Sequence, residues 1–211
     1  MNEEIMNVLI AGVGGQGVLF VSEILCTACM DLGYDVKKSE VHGMAQRGGS
    51  VVSHVRYGPK VYSPLIERGT AHVLLALEEL EALRWVDYLR PDGVVIVNGQ
   101  QIMPLPVAVG LEEYPRKIMA KLNRKAERVV VVDGVRIARQ AGNMRALNIA
   151  LLGSLAVFLG FRHSDLREII KAKLPAKMLK ANLTAFDNGW AITMNMEASQ
   201  PHTANKREGT E

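Results

Sequence analysis

A glycine-rich stretch near the start of the chain, Gly12-Val13-Gly14-Gly15-Gln16-Gly17, most constrains the fold. It follows the apolar residues 5–11, which predict a buried strand, and precedes residues 18–32, which predict a helix ending at Gly33. The pattern G-x-G-x-x-G between a strand and a helix is typical of a tight turn that lets an anion approach the helix N-terminus. With a second strand predicted over residues 34–41, this region predicts a βαβ unit with a right-handed crossover.

The remaining sequence alternates strand and helix patterns and becomes helical after Asp133. Strands are predicted over residues 51–57, 60–62, 72–77, 94–98 and 128–132. Helices are predicted over residues 78–89, ended by Pro91 and Gly93, and over 135–141, 145–159, 164–173 and 176–186. The order predicts an α/β fold, a Rossmann-like doubly wound sheet with a helical C-terminal part. We expect a single domain over residues 1–194 and a disordered polar tail over residues 195–211.

The composition limits the classes of function that fit the chain. Its 211 residues, 48% apolar and 22% charged, suit one soluble domain. A net charge of +3 does not indicate a nucleic-acid-binding protein. The longest apolar stretch, residues 146–161, is interrupted by polar residues and is shorter than the ~20 residues that span a bilayer. No signal peptide is visible, so a cytoplasmic, reducing location is expected.

The two cysteines, Cys26 and Cys29, form a C-x-x-C pattern. They lie about two turns into the predicted helix, whereas a redox pair of this kind would sit at a helix N-terminus. Buried packing is therefore the favoured interpretation. Two cysteines also cannot ligate an all-cysteine [4Fe–4S] cluster, and no H-x-x-x-H pair is present, so no metal site is expected.

Whether the glycine loop binds a ligand is left open by the residues alone. A NAD site needs an acidic residue about 20 positions further on, at the end of the second strand. Lys37 and Lys38 occupy that stretch and Glu40 comes late, which counts against NAD. The loop either binds another anion or only packs the helix against the strand.

Between two predicted strands lies the most distinctive segment, His42-Gly43-Met44-Ala45-Gln46-Arg47-Gly48-Gly49-Ser50. Loops after strands commonly carry the binding groups of α/β proteins, although a solvated loop with an arginine ion pair would look the same. His54 and His72 are expected to be hydrogen-bonded structural histidines, and Asp133 either a sheet-edge ligand or a helix cap. The charged residues of the next helix, which are Glu78, Glu79, Glu81 and Arg84, are expected on its surface.

Several of these segments together resemble the gamma domain of the 2-oxoacid:ferredoxin oxidoreductase family. The resembling residues are Gly12 to Val18, Arg47-Gly48-Gly49, Ser53-His54-Val55-Arg56 and Ser63-Pro64-Leu65-Ile66. The segment from His42 to Gly49 resembles the indolepyruvate branch in particular, as do residues 77–84 and 182–186. The resemblance spans residues 8–190, almost all of the expected domain.

The resemblance implies the small (beta) subunit of an enzyme that decarboxylates arylpyruvates oxidatively with coenzyme A. The products would be an aryl-acetyl-CoA, carbon dioxide and reduced ferredoxin. It implies thiamine diphosphate and [4Fe–4S] clusters in a larger alpha subunit, an α2β2 assembly, and no cofactor in this chain. Alone, the chain would be inactive, and its role would be to complete the active site and help hold coenzyme A.

The resemblance and the motifs together nominate the site residues. The catalytic candidates are His42, Gln46 and Arg47. Contacts to coenzyme A or another anion are expected from Gly12, Gly14, Gly15, Gln16, Gly17, Arg47, Gly48 and Gly49. Three alternatives remain: a gamma subunit for another 2-oxoacid, a stand-alone Rossmann nucleotide-binding module, and an assembly partner whose glycine loop binds nothing. No contact with nucleic acid or membrane is expected.

Overall fold

The computed structural model describes residues 4–42 and 48–199. Its centre is a six-stranded mixed sheet in the order β2-β3-β1-β4-β5-β6. The strands are β1 (Met6–Val13), β2 (Asp35–His42), β3 (Ser50–Gly58), β4 (Ala71–Ala76), β5 (Leu89–Asn98) and β6 (Arg128–Val132). Strands β1, β4, β5 and β6 are parallel, while β3 is antiparallel to both of its neighbours. The predicted α/β doubly wound class with a helical C-terminal part is confirmed.

Helices cover both faces of the sheet, because alternate residues of each buried strand point to opposite sides. Val8 and Ile10 of β1 face one core, which also receives the C-terminal helices, and Leu9 and Ala11 face the other. The helices are α1 (Val18–Asp31), α2 (Glu79–Trp85), α3 (Leu105–Ala108), α4 (Ile118–Lys125), α5 (Gly134–Gln140), α6 (Leu147–Ala156), α7 (His163–Lys173) and α8 (Ala176–Ser199). Within the described ranges, no helix combines the length and apolarity that a bilayer crossing needs.

The predicted βαβ unit is altered by an inserted strand. Strand β3 pairs with β1 on one side and with β2 on the other, so β1 and β2 run in the same direction without touching. Five consecutive residues of β3, from Val51 to Val55, are buried, as expected of a strand covered on both faces. Because β3 returns directly from β2, it takes the place beside β1 that β2 was expected to occupy.

Two local predictions were wrong because tertiary pairing overrides local pattern. Residues 60–62 form no strand; the amide of Val61 instead donates to the Asp35 carboxylate at 2.9 Å. The helix predicted over residues 78–89 ends at Trp85, and Leu89 already pairs with Ala71 as the start of β5. Pro91 and Gly93, expected to end that helix, therefore lie within β5.

The C-terminal helix α8 extends further than the sequence predicted. It continues from Ala176 to Ser199, so residues 195–199 are helical rather than part of the expected disordered tail. Glu197 forms an ion pair with Arg128 at the start of β6, which joins the end of this helix to the sheet. Residues 200–211 lie outside the described residues, and the tail predicted there stays a prediction.

Helices α6 and α8 cross at two glycines that leave no room for a side chain. A Cβ atom built on Gly189 would lie 1.9 Å from the Ala150 carbonyl oxygen, and one on Gly153 would lie 2.2 Å from the Phe186 carbonyl oxygen. The Ser154 hydroxyl, 3.2 Å from the Gly189 carbonyl oxygen, adds a hydrogen bond across the crossing. Since both obstacles are backbone atoms, the helices would have to separate to admit even a methyl group.

We expect Gly189→Ala to destabilise the chain by roughly 1–3 kcal/mol, the usual cost of overpacking a core. Urea titration of the unfolding equilibrium measures the change. Gly99→Ala is the matched control, because a Cβ on Gly99 would make only an ordinary contact, 3.5 Å from Val131. Equal unfolding midpoints for the two variants would contradict the proposed close crossing.

Candidate functional site

The carboxyl ends of the parallel strands meet at one edge of the sheet, where α/β folds place their binding sites. From β1 the chain enters α1 on one face, and from the adjacent β4 it enters α2 on the other face. The crevice between β1 and β4 is therefore the topological switch point of this sheet. The glycine loop follows β1 at this point, and Leu77 and Glu78 follow β4.

Backbone conformation in the glycine loop depends on its glycines. Gly15 has a φ of 101° and is exposed, and Gly17 has a φ of 88° at the N-cap of α1. Both values lie in the region that favours glycine because other residues meet steric strain there. The first turn of α1 carries no acidic side chain, so its amide groups and positive dipole end are not opposed locally.

Hydrogen bonds from two side-chain amides connect the strand ends at this edge. The Gln16 amide accepts a hydrogen bond from Val13 N at 2.7 Å and donates one to the Leu77 carbonyl at 2.9 Å. The same carbonyl accepts from Asn98 Nδ2 at 3.1 Å, and Asn98 Oδ1 accepts from Gly134 N at 3.0 Å. This amide ladder connects the ends of β1, β4, β5 and β6. The Gln16 amide is thus part of this ladder, and the ligand contact expected of Gln16 stays a prediction.

Gly12 is also accounted for by packing. It lies in β1, where an added Cβ would meet Val18 Cγ2 at 2.9 Å and Leu77 Cβ at 3.2 Å. Its position lets α1 approach the strand closely, as the packing interpretation of the motif predicts. Among the nominated glycines of this loop, Gly15 is the exposed one.

The distinctive polar loop joins β2 to β3 at the same edge. His42 ends β2, and the nominated residues Gln46 and Arg47 lie outside the described residues. Gly48 has a φ of 76°, and the carbonyl of Gly49 accepts a hydrogen bond from Gly14 N at 2.8 Å. The end of the polar loop is thus bonded directly to the glycine loop, so the structure brings these two predicted segments together.

Glu81 forms the centre of a buried cluster beneath Ser50, the first residue after Gly49. Its carboxylate accepts hydrogen bonds from the Ser50 hydroxyl at 2.5 Å, from Arg84 at 2.8 Å and from the Trp85 indole at 3.3 Å. Only 3% of Glu81 is exposed. Burial raises the pKa of its carboxyl above the ordinary value, while the Ser50 hydroxyl and Arg84 oppose the shift.

Glu78 is buried even more completely, with 1% exposed. It caps α2 by accepting from Glu81 N at 2.9 Å, and it also accepts from Ile102 N at 3.1 Å and from the Tyr114 hydroxyl at 2.7 Å. One carboxylate therefore fixes both ends of the intervening segment, residues 103–113. Burial, followed by the contact with Glu78, raises the pKa of Tyr114 well above its ordinary range.

The prediction that these glutamates are helix-surface charges was wrong for Glu78 and Glu81. The sequence does contain a signal, since Glu78 directly follows a buried strand at a helix start and a second glutamate follows three residues later. An acidic residue at this position can cap the new helix. The surface interpretation is confirmed for Arg84, which is exposed, and fits Glu79 in part, because Glu79 is half-buried.

Two cavities adjoin the point where the loops meet, and both include Val13. We call the first the acidic cleft; it has a volume of about 510 Å³ and lies between Gly48–Ser50, the start of α2 and the segment 102–115. The second, the glycine-loop cavity, has a volume of about 420 Å³. Its lining comprises Val13, Gly14, Gly15, Gly17, Val18, Leu19, Phe20 and Val51. Both volumes lie in the range of small-molecule sites.

The geometry does not favour a dinucleotide at the switch point. Strand β3 separates the end of β2 from β1, so a ribose-binding acid on β2 would stand two strands away, roughly 10 Å, from the glycine loop. Lys37 is paired with Asp35 at 2.5 Å, and Lys38 with Glu40 at 2.9 Å and Glu23 at 3.1 Å. These lysines serve local ion pairs.

The remaining candidates have structural roles. His54 is buried and accepts from Ile66 N at 3.2 Å, and His72 accepts from Asn7 N at 3.0 Å, as predicted. The Asp133 carboxylate caps α5 by accepting a hydrogen bond from Arg136 N at 2.8 Å.

Cys26 and Cys29 are buried, as the packing interpretation predicted, and burial raises the pKa of the Cys26 thiol to about 11. In residues 4–42 and 48–199, no three potential metal ligands of the His, Cys, Asp and Glu types cluster together.

Comparison with known proteins identifies relatives over most of the chain. Residues 7–192 match the family model described as pyruvate ferredoxin/flavodoxin oxidoreductase. The chain is 38% identical over 190 residues to the indolepyruvate oxidoreductase subunit IorB of Pyrococcus horikoshii, covering 87% of this chain and 93% of the relative. With the protein of the same name from Archaeoglobus fulgidus it shares 39% identity over 189 residues, covering 88% and 94%.

Solved structures agree with the fold. The gamma subunit of a keto/oxoacid ferredoxin oxidoreductase from Geobacter sulfurreducens superposes with a TM-score of 0.68 at 19% identity, covering 90% of this chain and 99% of that one. A 2-oxoglutarate:ferredoxin oxidoreductase from Magnetococcus marinus gives a TM-score of 0.71 at 21% identity, covering 92% of this chain and 32% of the longer one. The architecture described above is therefore shared with gamma subunits.

The buried position of Glu81 predicts a pH-dependent effect of Glu81→Gln. Because the native pKa is raised, the native state holds a proton that the unfolded chain releases above its ordinary pKa of about 4.3. The resulting stabilisation is complete below that pKa and is lost as pH rises through the native pKa. The free energy of unfolding of the wild type should therefore fall relative to Glu81→Gln as pH rises from about 4 to neutrality.

Urea titrations of both proteins at several pH values measure this difference. Glu127→Gln, which removes an exposed carboxylate, measures the effect of charge removal alone. If the free energy of unfolding of the wild type stays constant or rises relative to that of Glu81→Gln as pH increases, the raised pKa is contradicted.

Proposed function

The chain belongs to the pyruvate ferredoxin/flavodoxin oxidoreductase family, and we propose that it is the small subunit of an indolepyruvate:ferredoxin oxidoreductase. The complete enzyme converts an arylpyruvate, coenzyme A and oxidised ferredoxin to an aryl-acetyl-CoA, carbon dioxide and reduced ferredoxin. Support comes from relatives named as indolepyruvate oxidoreductase subunits at 36–39% identity, each covered over more than nine tenths of its length.

One observation carries the assignment of the site. The two segments that resemble the family most specifically, the glycine loop and the end of the polar loop, are hydrogen-bonded to each other through Gly14 N and the Gly49 carbonyl at 2.8 Å. They meet at the carboxyl edge of the sheet, beside two cavities. This arrangement suits a chain that supplies one wall of an active site shared with the large alpha subunit.

Coenzyme A is the ligand that we assign to the glycine loop. The N-terminus of α1 has no acidic residue in its first turn, and Gly14, Gly15 and Gly17 line the cavity beside it. Such a terminus favours the negative charge of a phosphate group. Arg47, from the adjacent loop, is the proposed second anion contact, because its planar guanidinium can donate two parallel hydrogen bonds. His42 and Gln46 remain catalytic candidates in the same loop.

The alpha subunit is proposed to carry thiamine diphosphate and the [4Fe–4S] clusters. This chain's own residues do not fit a cluster, which takes four cysteine thiolates; Cys26 and Cys29 are buried residues of α1, and burial raises the pKa of each thiol. Thiamine diphosphate would supply the electron sink for decarboxylation, and the clusters would carry electrons to ferredoxin. An α2β2 assembly and a cytoplasmic location are part of the same proposal.

We expect the purified small subunit to be colourless and inactive by itself. The reason is that the chain offers only two cysteines, both of them buried. Iron, acid-labile sulfide and thiamine diphosphate should be measured in the isolated chain and in the complex co-expressed with the alpha subunit. Stoichiometric amounts of any of the three in the isolated chain would overturn the proposed division of cofactors.

We expect Arg47→Lys to lower the activity of the reconstituted complex about tenfold or more, with assembly intact. The substitution keeps the charge but removes the fork, and a charged hydrogen bond contributes roughly 1.5–3 kcal/mol. Steady-state kinetics with indolepyruvate and coenzyme A, beside size-exclusion chromatography, provides the test. Arg124→Lys, at an exposed position on α4, is the matched control.

The kinetic pattern separates the two roles open to Arg47. A raised KM for coenzyme A alone supports the assigned anion contact. Loss of the complex on the column would favour an ion pair at the subunit interface. Unchanged kcat and KM for both substrates would refute a role in the active site.

A further inference from the structure

We propose that the acidic cleft binds the aryl end of the 2-oxoacid substrate, with the wall formed by residues 104–107 determining the preference for aromatic side chains. This inference rests on the function proposed above, because it names the part of the substrate that this chain recognises. Under this proposal the glycine-loop cavity binds the anionic coenzyme and the acidic cleft binds the ring.

Apolar surface dominates the side of the cleft that a ring would contact. Pro104, Leu105, Pro106 and Val107 line it in succession, and Leu80 and Ile102 add further apolar side chains to the same lining. Four consecutive apolar residues form a continuous surface of the kind that aromatic ligands bury. Leu105 is 73% exposed, although it lines the cleft, so the chain presents uncovered apolar area there.

Charge in the cleft selects which end of the substrate enters. Four glutamates, Glu78, Glu81, Glu112 and Glu113, line it together with a single cationic side chain among the described lining residues, Arg84. Arg84 already donates to Glu81 at 2.8 Å. A carboxylate or phosphate entering this lining would be repelled, whereas an uncharged ring would not be. The substrate therefore enters ring first and leaves its carboxylate and keto groups at the mouth, outside this chain.

The wall of the cleft is held in place before any substrate arrives. Glu78 accepts hydrogen bonds from Ile102 N on one side of the wall and from the Tyr114 hydroxyl on the other. The buried carboxylate thus fixes both ends of a segment whose middle is exposed. A preformed wall reduces the conformational entropy that the chain loses on binding. This favours binding of the ring in one defined position.

Leu105→Ala in the complex with the alpha subunit tests the assignment. We expect kcat/KM for indolepyruvate to fall about tenfold, mainly through KM, because several apolar contacts to the ring are lost. For pyruvate, which has no ring, kcat/KM should stay within about twofold of the wild-type value. The ratio of kcat/KM for indolepyruvate to kcat/KM for pyruvate should therefore fall. Leu111→Ala is the matched control, since Leu111 belongs to the same segment and is 80% exposed but does not line the cleft.

A second variant changes the cleft in the opposite sense. Val107→Phe fills part of its volume and should reduce kcat/KM for indolepyruvate more than for the smaller phenylpyruvate. Equal selectivity in wild type, Leu105→Ala and Val107→Phe, or equal effects of Leu105→Ala and Leu111→Ala, would overturn the proposal.

Calorimetric titration of the complex with neutral indole gives a readout that is independent of turnover. Binding should weaken about tenfold in Leu105→Ala and remain unchanged in Leu111→Ala. If the wild-type complex oxidises no arylpyruvate but shows this pattern with indole, the function proposed for the complex fails and the aryl site stands. If the wild-type complex is active and binds no indole, the aryl site fails and the proposed function stands.

Discussion

The carbonyl group of Leu77 is the point on which the functional edge of this protein depends. It accepts hydrogen bonds from the side-chain amides of Gln16 and Asn98, at 2.9 and 3.1 Å, while Asn98 accepts from Gly134 N. Asn98 is fully buried, so these bonds form where water does not compete and where a missing partner would be costly. The glycine loop is therefore positioned by the ends of three other strands and not by its own glycines alone.

On the other side of the same edge, two buried carboxylates organise the loops. Glu81 binds Ser50, which anchors the end of the polar loop, and Glu78 binds both ends of the segment that forms the cleft wall. Each carboxylate accepts three hydrogen bonds, which is how a buried acid is stabilised when few cations are near. Stability and site geometry are thus provided by the same groups.

The two cavities at this edge differ in electrostatic character. The glycine-loop cavity lies at the N-terminus of α1, where the positive end of the helix dipole favours an anion. The acidic cleft, separated from it near Val13, combines an apolar wall with four glutamates. This difference is the basis for proposing the anionic coenzyme at the glycine loop and the uncharged ring in the acidic cleft.

The sequence by itself determined the approximate positions of the six strands of the sheet and of most helices, the α/β class, the turn at Gly12–Gly17 and the family resemblance. These depend on local periodicity, glycine conformation and contiguous motifs. Strand order was decided only by tertiary structure. Local pattern could not show that β3 would insert beside β1, since that position results from pairing between residues distant in sequence. For the same reason the sequence predicts Glu78 and Glu81 as surface charges and does not show that the Gln16 amide bonds to the Leu77 carbonyl. Their roles depend on Leu77, Tyr114 and Ser50, partners that long-range folding alone brings within hydrogen-bonding distance.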